Sequence, residues 1–292
     1  MEWNKIHELD CIIGLEQLDE NSIDCVLIDP PYNIGYDFGN NQMKSSIEEY
    51  VAWSSRWINE SLRVLKPSGT MYIYGFSEIL AHLSVKLEVP HRWLIWHYKN
   101  KTVPSSKFWQ RTHESIICAN KDTSQRYFDR DIVREPYTEN YVKRGAGKNR
   151  KRPGTGGRFG NIETTYKPHP QGALPRDVLH HPTLSGGTGD SERIYYCNQC
   201  EEAFFGSKEK KKHDSHKDQV LKHPTQKPLE LTKRLLSACV PPGGRVVIPF
   251  SGSGSECYVA KSLGMKFLGF DINGDYVKHG LSLLNLSEKD KK

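Results

Sequence analysis

An acid, two prolines and an aromatic residue, Asp29, Pro30, Pro31 and Tyr32, directly follow a short apolar run at residues 25–28. The run predicts a buried strand, so the four residues should lie at its end. The Asp29 carboxylate and the Pro30 carbonyl can accept hydrogen bonds from a planar amino group, and Tyr32 offers a flat ring for stacking. Proline lacks an N–H and has a fixed φ, which keeps the turn stiff. The motif predicts a pocket for a planar amine; the alternative is an ordinary Pro-Pro turn.

A glycine-rich turn lies near the other end of the chain. The pattern predicts a strand at 245–248, a turn at 250–254, a helix at 256–263 and a strand at 266–270 that ends at Asp271. Doubly wound folds hold a nucleoside in this way, with helix amides facing the ligand and an acid on the ribose hydroxyls. The turn residues that we expect to contact such a ligand are Phe250, Ser251, Gly252, Ser253 and Gly254.

Two cysteines and two histidines form a possible metal-binding set. Cys197 and Cys200 are separated by two residues, His213 follows after twelve, and His216 after two more. These are the ligand types of a structural zinc site, although the histidines are one residue closer than usual. We predict a zinc finger over 195–217 that staples the structure rather than reads bases. The alternative is a lysine-rich helix with incidental histidines and two free thiols.

Basic residues are concentrated between positions 143 and 167, where the one acid is Glu163. A run of this kind is often only a solvated surface. Interspersed glycines nevertheless suggest a loop that could follow a phosphate backbone. The basic residues that we expect to contact nucleic acid are Lys143, Arg144, Lys148, Arg150, Lys151, Arg152 and Arg158.

The composition excludes several classes of protein. The 292 residues suffice for one α/β domain with an insertion, and no apolar run approaches membrane-spanning length. The N-terminus does not resemble a signal peptide, and the seven scattered cysteines suggest reduced thiols. We therefore expect a cytoplasmic protein with no membrane partner.

Alternating strands and helices predict an α/β fold with a mostly parallel, doubly wound sheet. Residues 1–120 and 223–292 carry the strong patterns and should form the two halves of one domain, the first with the amine pocket and the second with the glycine-rich turn. Residues 121–222 are rich in glycine, proline and lysine with weak periodicity, and we predict that they form an inserted recognition region.

Taken together and in this order, the two motifs resemble the β class of the DNA amino-methyltransferases that use S-adenosylmethionine. The segment from His223 to Pro228, His-Pro-Thr-Gln-Lys-Pro, is similar to the one that precedes the cofactor turn in that class. Leu9, Asp10 and Cys11 are similar to its N-terminal cofactor segment. The resemblance covers residues 5–120 and 220–287. It implies a Rossmann-like methyltransferase fold and a bacterial or phage-type protein, associated with the nucleoid through DNA.

The resemblance also implies a reaction and roles for residues. Asp29 and the Pro30 carbonyl would hold the amino hydrogens of an adenine flipped out of double-stranded DNA, and Tyr32 would stack on it. For the cofactor, Asp271 would bind the ribose and residues 250–254 the methionine end. The remaining cofactor contacts implied are Asp10 and Cys11 to the adenine ring and Lys227 to the carboxylate. A companion restriction endonuclease and a monomer or dimer would be consistent with the family.

Other functions remain open at this point. An N4-cytosine DNA methyltransferase is the nearest alternative, although Ser or Thr usually replaces the acid there. Methylation of RNA or of a protein glutamine usually has Asn at that position. A zinc-finger DNA-binding regulator on an inactive scaffold belongs to a different class. Two departures from the family pattern matter: Ile248 replaces the usual acid before the cofactor turn, and Leu9 replaces a glycine.

Overall fold

The computed structural model describes residues 1–33, 46–100, 105–144, 149–150, 164–165, 168–184 and 189–286. The chain divides into two compact units, one made of Met1–Phe128 with Asp177–Lys292 and the other of Asp129–Arg176. In the described part of the chain, no helix is both long and apolar enough to cross a membrane.

The larger unit contains most of the regular structure. Its strands are β1 (Lys5–Glu8), β2 (Ile23–Ile28), β3 (Leu65–Gly75), β4 (His91–His97), β5 (His113–Asn120), β8 (Val178–His180), β9 (Ile194–Cys197), β10 (Glu202–Phe205), β11 (Val220–Leu221), β12 (Arg245–Ile248) and β13 (Lys266–Asp271). Its helices are α1 (Cys11–Glu16), α2 (Ile47–Val64), α3 (Ser77–Ser84), α5 (Gly206–Lys211), α6 (Leu229–Cys239), α7 (Ser255–Ser262) and α8 (Gly274–Leu283). The smaller unit has α4 (Glu139–Arg144), β6 (Asn149–Arg150) and β7 (Thr164–Thr165).

An eight-stranded sheet in the order β1-β13-β12-β2-β3-β5-β4-β8 forms the centre of the larger unit. Neighbouring strands pair in parallel except at β3–β5 and β5–β4, which are antiparallel. The chain runs outward in one direction from β2 to β3 and in the other from β12 to β13. The boundary between β2 and β12 is therefore a topological switch point, where ligands bind in open α/β sheets. The predicted mostly parallel, doubly wound fold is confirmed.

Both faces of the sheet are covered by helices, and β2 shows why. All six of its residues are buried, as a strand between two helical layers requires. Cys25 and Leu27 pack into the core with α6, α7 and α8, whereas Val26 and Ile28 pack into the core with α1, α2 and α3. Helix α2 begins with a capping box between Ser46 and Glu49, which satisfies free backbone donors at its start.

A second, three-stranded sheet in the order β10-β9-β11 carries the two cysteines of the predicted finger. Its hairpin packs on α8, with the Tyr196 and His279 rings stacked at 4.0 Å and the Ala203 amide donating to Ser282 Oγ at 2.9 Å. The smaller compact unit, Asp129–Arg176, does not include this hairpin and is shorter than the predicted insertion at 121–222. The hairpin falls in the larger unit because its apolar side chains join that unit's core.

Candidate functional site

Four parallel strands end side by side at one edge of the large sheet, and each is followed by a residue predicted to function. Asp10 follows β1, Asp29 follows β2, the turn at 250–254 follows β12, and Asp271 ends β13. Because carboxyl ends of adjacent parallel strands meet at one edge, residues far apart in sequence converge there.

These residues border an open cavity of about 910 Å³, part of which is continuous with solvent. Its position, outside the carboxyl ends of the strands at the switch point, is where open α/β sheets bind ligands. The structure brings all four predicted catalytic residues to its wall, together with every predicted cofactor residue except Gly254. The predicted residues that line the cavity are Asp10, Cys11, Asp29, Pro30, Pro31, Tyr32, Lys227, Phe250, Ser251, Gly252, Ser253 and Asp271.

The Asp29 carboxylate is held on both oxygens. Tyr32 Oη donates to Oδ1 at 2.6 Å, and Lys227 Nζ donates to Oδ2 at 2.6 Å. Lys227 is buried, and burial alone would lower its pKa; the carboxylates of Asp29 and Glu114 outweigh this effect and raise it. The lysine therefore carries a full charge against Asp29. Lys227 was predicted to bind the cofactor carboxylate, and in the structure its ammonium pairs with Asp29.

Tyr32 is embedded in the wall of the cavity rather than standing free. Its side chain is 5% exposed, and its hydroxyl also lies 3.3 Å from Glu114 Oε2. Tyr50 Oη donates to the Pro31 carbonyl at 2.8 Å, which fixes the turn from behind. Tyr32 was predicted to act as a stacking platform, yet its hydroxyl is committed to orienting Asp29.

Glu114 belongs to the site but was not predicted to. It lies at the start of β5, and burial raises the pKa of its carboxyl. In the sequence, Glu114 could be recognised as an acid that directly follows His113 and precedes an apolar run. Sequence alone could not place that strand beside β3 and so beside the end of β2.

The glycine-rich turn is built around Asp271. The Gly252 amide donates to Asp271 Oδ2 at 2.8 Å and the Asn273 amide donates to Oδ1 at 2.9 Å. Burial raises the pKa of Asp271, against the effect of these hydrogen bonds. Gly252 has φ of +49°, and a Cβ there would lie 2.9 Å from His223 Nε2, so a side chain at this position would be strained and would displace His223. Burial lowers the pKa of His223 to about 4, so its ring is neutral near pH 7.

Other residues of the turn serve the fold. Phe250 packs against the rings of Trp53 and Trp57, each 5.7 Å away. Ser251 donates from both its amide and its hydroxyl to the Phe270 carbonyl. Gly254, with φ of +82°, lies where a Cβ would clash with the Gly280 backbone of α8. Gly254 thus allows close packing, and the cavity wall does not include it.

At the N-terminal segment, Asp10 caps α1. Its Oδ1 accepts from the Ile12 amide at 2.9 Å and from the Ile13 amide at 3.4 Å. Cys11 is buried in the first turn, and burial raises the pKa of its thiol. Both residues line the cavity, so their predicted contact with an adenine ring is compatible with their position.

A second acid that was not predicted, Glu256, lies in the first turn of α7 on the cavity wall. Its side chain is 5% exposed, and its Oε2 accepts from Ser255 Oγ at 2.7 Å. Burial, followed by the charge of Asp29, raises its pKa to about 7. In the sequence it follows the glycine-rich turn without any distinguishing pattern.

The four metal-type residues come together away from the cavity, with one donor atom from each within 4.8 Å of the others. Cys200 Sγ lies 3.5 Å from His213 Nδ1 and 3.4 Å from His216 Nδ1, and Cys197 Sγ lies 3.7 Å from His216 Nδ1. Tetrahedral zinc bonds would separate sulfur and nitrogen by about 3.6 Å. The His216 amide donates to the His213 carbonyl, an i→i+3 turn that brings two closely spaced histidines to one side. The donor set therefore fits a zinc ion.

The predicted nucleic-acid contacts fall mainly outside the described residues: Lys148, Lys151, Arg152 and Arg158 lie there. Lys143, in α4, is exposed and pairs with Glu139 at 3.1 Å. Arg144 ends α4 and Arg150 ends β6, and their side chains are not described.

Comparison with known proteins gives a consistent result. The chain is 29% identical over 281 residues to the DNA adenine methyltransferase YhdJ of Escherichia coli, a match that spans 95% of this chain and 81% of YhdJ. Its fold is similar to that of the PvuII cytosine-N4-specific DNA methyltransferase, with a TM-score of 0.62, 16% identity, and coverage of 98% and 89% of the two chains. It is also similar to the complex of M1.HpyAVI with S-adenosylmethionine, with a TM-score of 0.53, 18% identity, and coverage of 97% and 99%.

A family model described as DNA methylase, of the N6 and N4 methyltransferases, matches residues 23–282. This match spans most of the chain and includes the Asp29 motif, the glycine-rich turn and all the lining residues of the cavity except Leu9, Asp10 and Cys11. The chain belongs to this family of DNA amino-methyltransferases.

Proposed function

We propose that the protein transfers a methyl group from S-adenosylmethionine to the N6 amino group of adenine in double-stranded DNA. One observation carries the proposal: Asp29, which can grip an amine, shares a single cavity with the glycine-rich turn and Asp271. The M1.HpyAVI complex, which contains S-adenosylmethionine, has a similar fold and supports this cofactor.

The residues of the cavity suggest how the amine is activated. When bound, S-adenosylmethionine supplies an electrophilic methyl group. Lys227 and Tyr32 each occupy one oxygen of Asp29, and each oxygen keeps a lone pair for an amino hydrogen. With its hydrogens held by Asp29 and the Pro30 carbonyl, the amino nitrogen can pyramidalise and point its lone pair at the methyl carbon. The new N–C bond would replace the S–C bond, whose electron pair would stay on sulfur, and one amino hydrogen would leave as a proton. Alignment then contributes much of the rate, and no cysteine nucleophile is required.

A base inside a duplex cannot reach a cavity of this shape, so the target must be flipped out. The buried Tyr32 ring borders the cavity and can contact the flipped base while its hydroxyl stays on Asp29. Phe250, which lies on the same wall, is a second aromatic surface.

The target base separates two candidate reactions. Adenine is favoured by the acid at position 29 and by the similarity to YhdJ, which is a DNA adenine methyltransferase. The fold similarity to the PvuII enzyme, which is specific for cytosine N4, makes N4-methylcytosine the second candidate. Incubation with labelled S-adenosylmethionine and unmethylated DNA, followed by nucleoside chromatography, distinguishes the products. Labelled N6-methyladenine supports the proposal, and N4-methylcytosine alone contradicts it.

A structural zinc ion is the second part of the proposal. Cys197, Cys200, His213 and His216 would hold it in a closed, four-coordinate site with no position left for substrate. The site would connect the hairpin of β9 and β10 to the segment that follows α5. Metal analysis of purified protein should find about one zinc per chain. A folded, active sample that contains no zinc contradicts the site.

The basic run is proposed to contact the phosphate backbone, within an insertion that recognises the target. In a plot of the logarithm of the binding constant against the logarithm of the salt concentration, each lost phosphate contact should make the slope shallower by about 1. The variant Lys151→Gln/Arg152→Gln should bind DNA more weakly at low salt than the wild type, whatever the sequence. Equal binding by both proteins at every salt concentration contradicts a role for this run.

A further inference from the structure

Four acidic residues line the cavity, and they differ in what balances their charge: Asp10, Asp29, Glu256 and Asp271. Asp10 and Asp271 each accept hydrogen bonds from two backbone amides, and Asp29 forms an ion pair with a lysine. Within the described residues, Glu256 accepts hydrogen bonds from neutral groups only, the Ser255 hydroxyl and its own amide, and the cation that acts on it, Lys227, is already paired with Asp29. It is the acid of the cavity whose charge is least compensated.

A carboxylate in this position is costly for the ligand-free protein. Glu256 is 5% exposed, and a buried charge without an ion pair of its own is strongly disfavoured. Burial is the main reason that its pKa rises to about 7, and the nearby Asp29 adds to the effect. The last residue of β12, Ile248, is buried and apolar and carries no charge. An acid kept at this cost beside a cofactor cavity suggests a ligand that brings a positive charge.

We propose that Glu256 binds the α-ammonium group of S-adenosylmethionine; this inference rests on the function proposed above. Helix α7, which carries Glu256, follows β12, and β12 lies between β13, which ends at Asp271, and β2, which precedes Asp29. A cofactor with its ribose at Asp271 and its methyl directed at Asp29 must place its sulfur between them. The amino-acid arm that branches from the sulfur then lies within reach of Glu256.

The ammonium group is the partner that fits a carboxylate best. It has three N–H donors, as a lysine ammonium does, whereas a sulfonium has none. A charge-assisted hydrogen bond from such a donor is about twice as strong as a neutral one. The ion pair would also neutralise the cavity acid that lacks an ion pair of its own.

Binding of a cation beside Glu256 should be linked to release of a proton. The other ionisable groups that face it are Asp29, Lys227, Tyr74 and Cys257. The pKa values of Tyr74 and Cys257 are raised well above their usual range by burial, so both stay neutral near pH 7. Asp29 and Lys227 remain paired with each other. Because a new cation lowers the pKa of Glu256, a fraction of the chains should lose a proton when the cofactor binds near pH 7.

The test is titration calorimetry with three probes: S-adenosylmethionine, S-adenosylhomocysteine and methylthioadenosine. The second keeps the ammonium but lacks the sulfonium charge, and the third lacks the whole amino-acid arm. Glu256→Gln keeps the shape of the side chain and removes its charge. Glu230→Gln, an exposed acid in the first turn of α6, is the matched control. Each protein is measured at pH 7 in two buffers of different ionisation enthalpy, and again at pH 8.

The inference predicts that Glu256→Gln weakens both S-adenosyl compounds at pH 8 by about 10-fold and leaves methylthioadenosine unchanged. The proton released by the wild type at pH 7 should disappear in Glu256→Gln and persist in Glu230→Gln. Unchanged affinities, or weakening of all three probes alike, overturn the assignment. Weakening of S-adenosylmethionine alone overturns it in favour of a sulfonium contact. If the wild-type protein binds none of the three, the proposed function itself fails.

Discussion

The Asp29–Lys227 ion pair provides the sharpest test of how the amine pocket is built. Its atoms are 2.6 Å apart, and the side chains are 15% and 3% exposed. Removing one partner of a buried pair leaves the other charge uncompensated, which typically costs about 3–5 kcal/mol of unfolding free energy. Because Glu114 and Glu256 also stabilise the charge of Lys227, we expect Asp29→Asn to cost about 3 kcal/mol, at the lower end.

Replacing both partners should restore much of that stability. In Asp29→Asn/Lys227→Met no buried cation remains, and the methionine fills the volume of the lysine stem with apolar atoms. We therefore expect a coupling free energy of about 2 kcal/mol or more between the two substitutions in a double-mutant cycle. Urea unfolding of the wild type, both single variants and the double variant measures it. Glu2→Gln, which removes an exposed partner of Lys5, is the control and should leave stability unchanged.

Catalysis should separate from stability in the same proteins. Asp29→Asn should lower single-turnover methyl transfer by about 100-fold or more, because an oriented charged acceptor is lost. The affinity for S-adenosylmethionine, measured by calorimetry, should change far less. Single variants whose stability costs simply add in the double variant would refute the ion-pair reasoning. An equal loss of cofactor binding and methyl transfer would show that Asp29 is structural.

Three further results are expected. Glu256 has a folded pKa of about 7, above its ordinary 4.5, so its contribution to stability is complete below pH 4.5 and lost as the pH rises through 7. Glu256→Gln should therefore raise the unfolding free energy of the ligand-free protein at pH 8 by up to about 3 kcal/mol, and an unchanged urea midpoint would contradict this. Cys200→Ser, or a zinc chelator, should lower the melting temperature; identical melting with and without chelator would count against the metal. Gly252→Ala should impair cofactor binding more than Gly264→Ala, since both sites have positive φ but only the first Cβ meets His223; equal effects in calorimetry would show that the contact is unimportant.

Much of the sheet could be predicted because its strands carry their signal locally. Residues 245–248 were predicted as a strand with the bounds that the structure shows for β12. Residues 246–248 form a continuous apolar run that ends at a proline. Periodicity does not mark β9 and β10, which are four-residue strands, and it was the spacing of cysteines and histidines that pointed to a finger there. The region predicted as an insertion includes this hairpin, whose apolar side chains join the core of the larger unit.

The partners of the site residues could not be predicted in this way. Asp29 and Lys227 are 198 positions apart, and only the folded structure shows that their side chains meet. The residue type of Tyr32 indicated a ring that could stack on a base. The sequence could not show that its hydroxyl contacts Asp29 and Glu114. Motifs identified the wall of the cavity well, since their residues follow adjacent strands. They could not indicate which groups on that wall already have partners.

The chemistry of the cavity follows from that distribution of partners. An acid that a lysine and a tyrosine already hold is fixed in position and charged, which suits it to orient an amine through its remaining lone pairs. An acid without an ion pair of its own, whose hydrogen bonds come from neutral groups, carries a poorly compensated charge, and a cationic ligand stabilises it. Asp29 and Glu256 are both carboxylates on one wall, yet their surroundings suit the first to the substrate and the second to the cofactor. If Asp29→Asn or Glu256→Gln weakened cofactor binding and DNA binding equally, this division between the two carboxylates would be wrong.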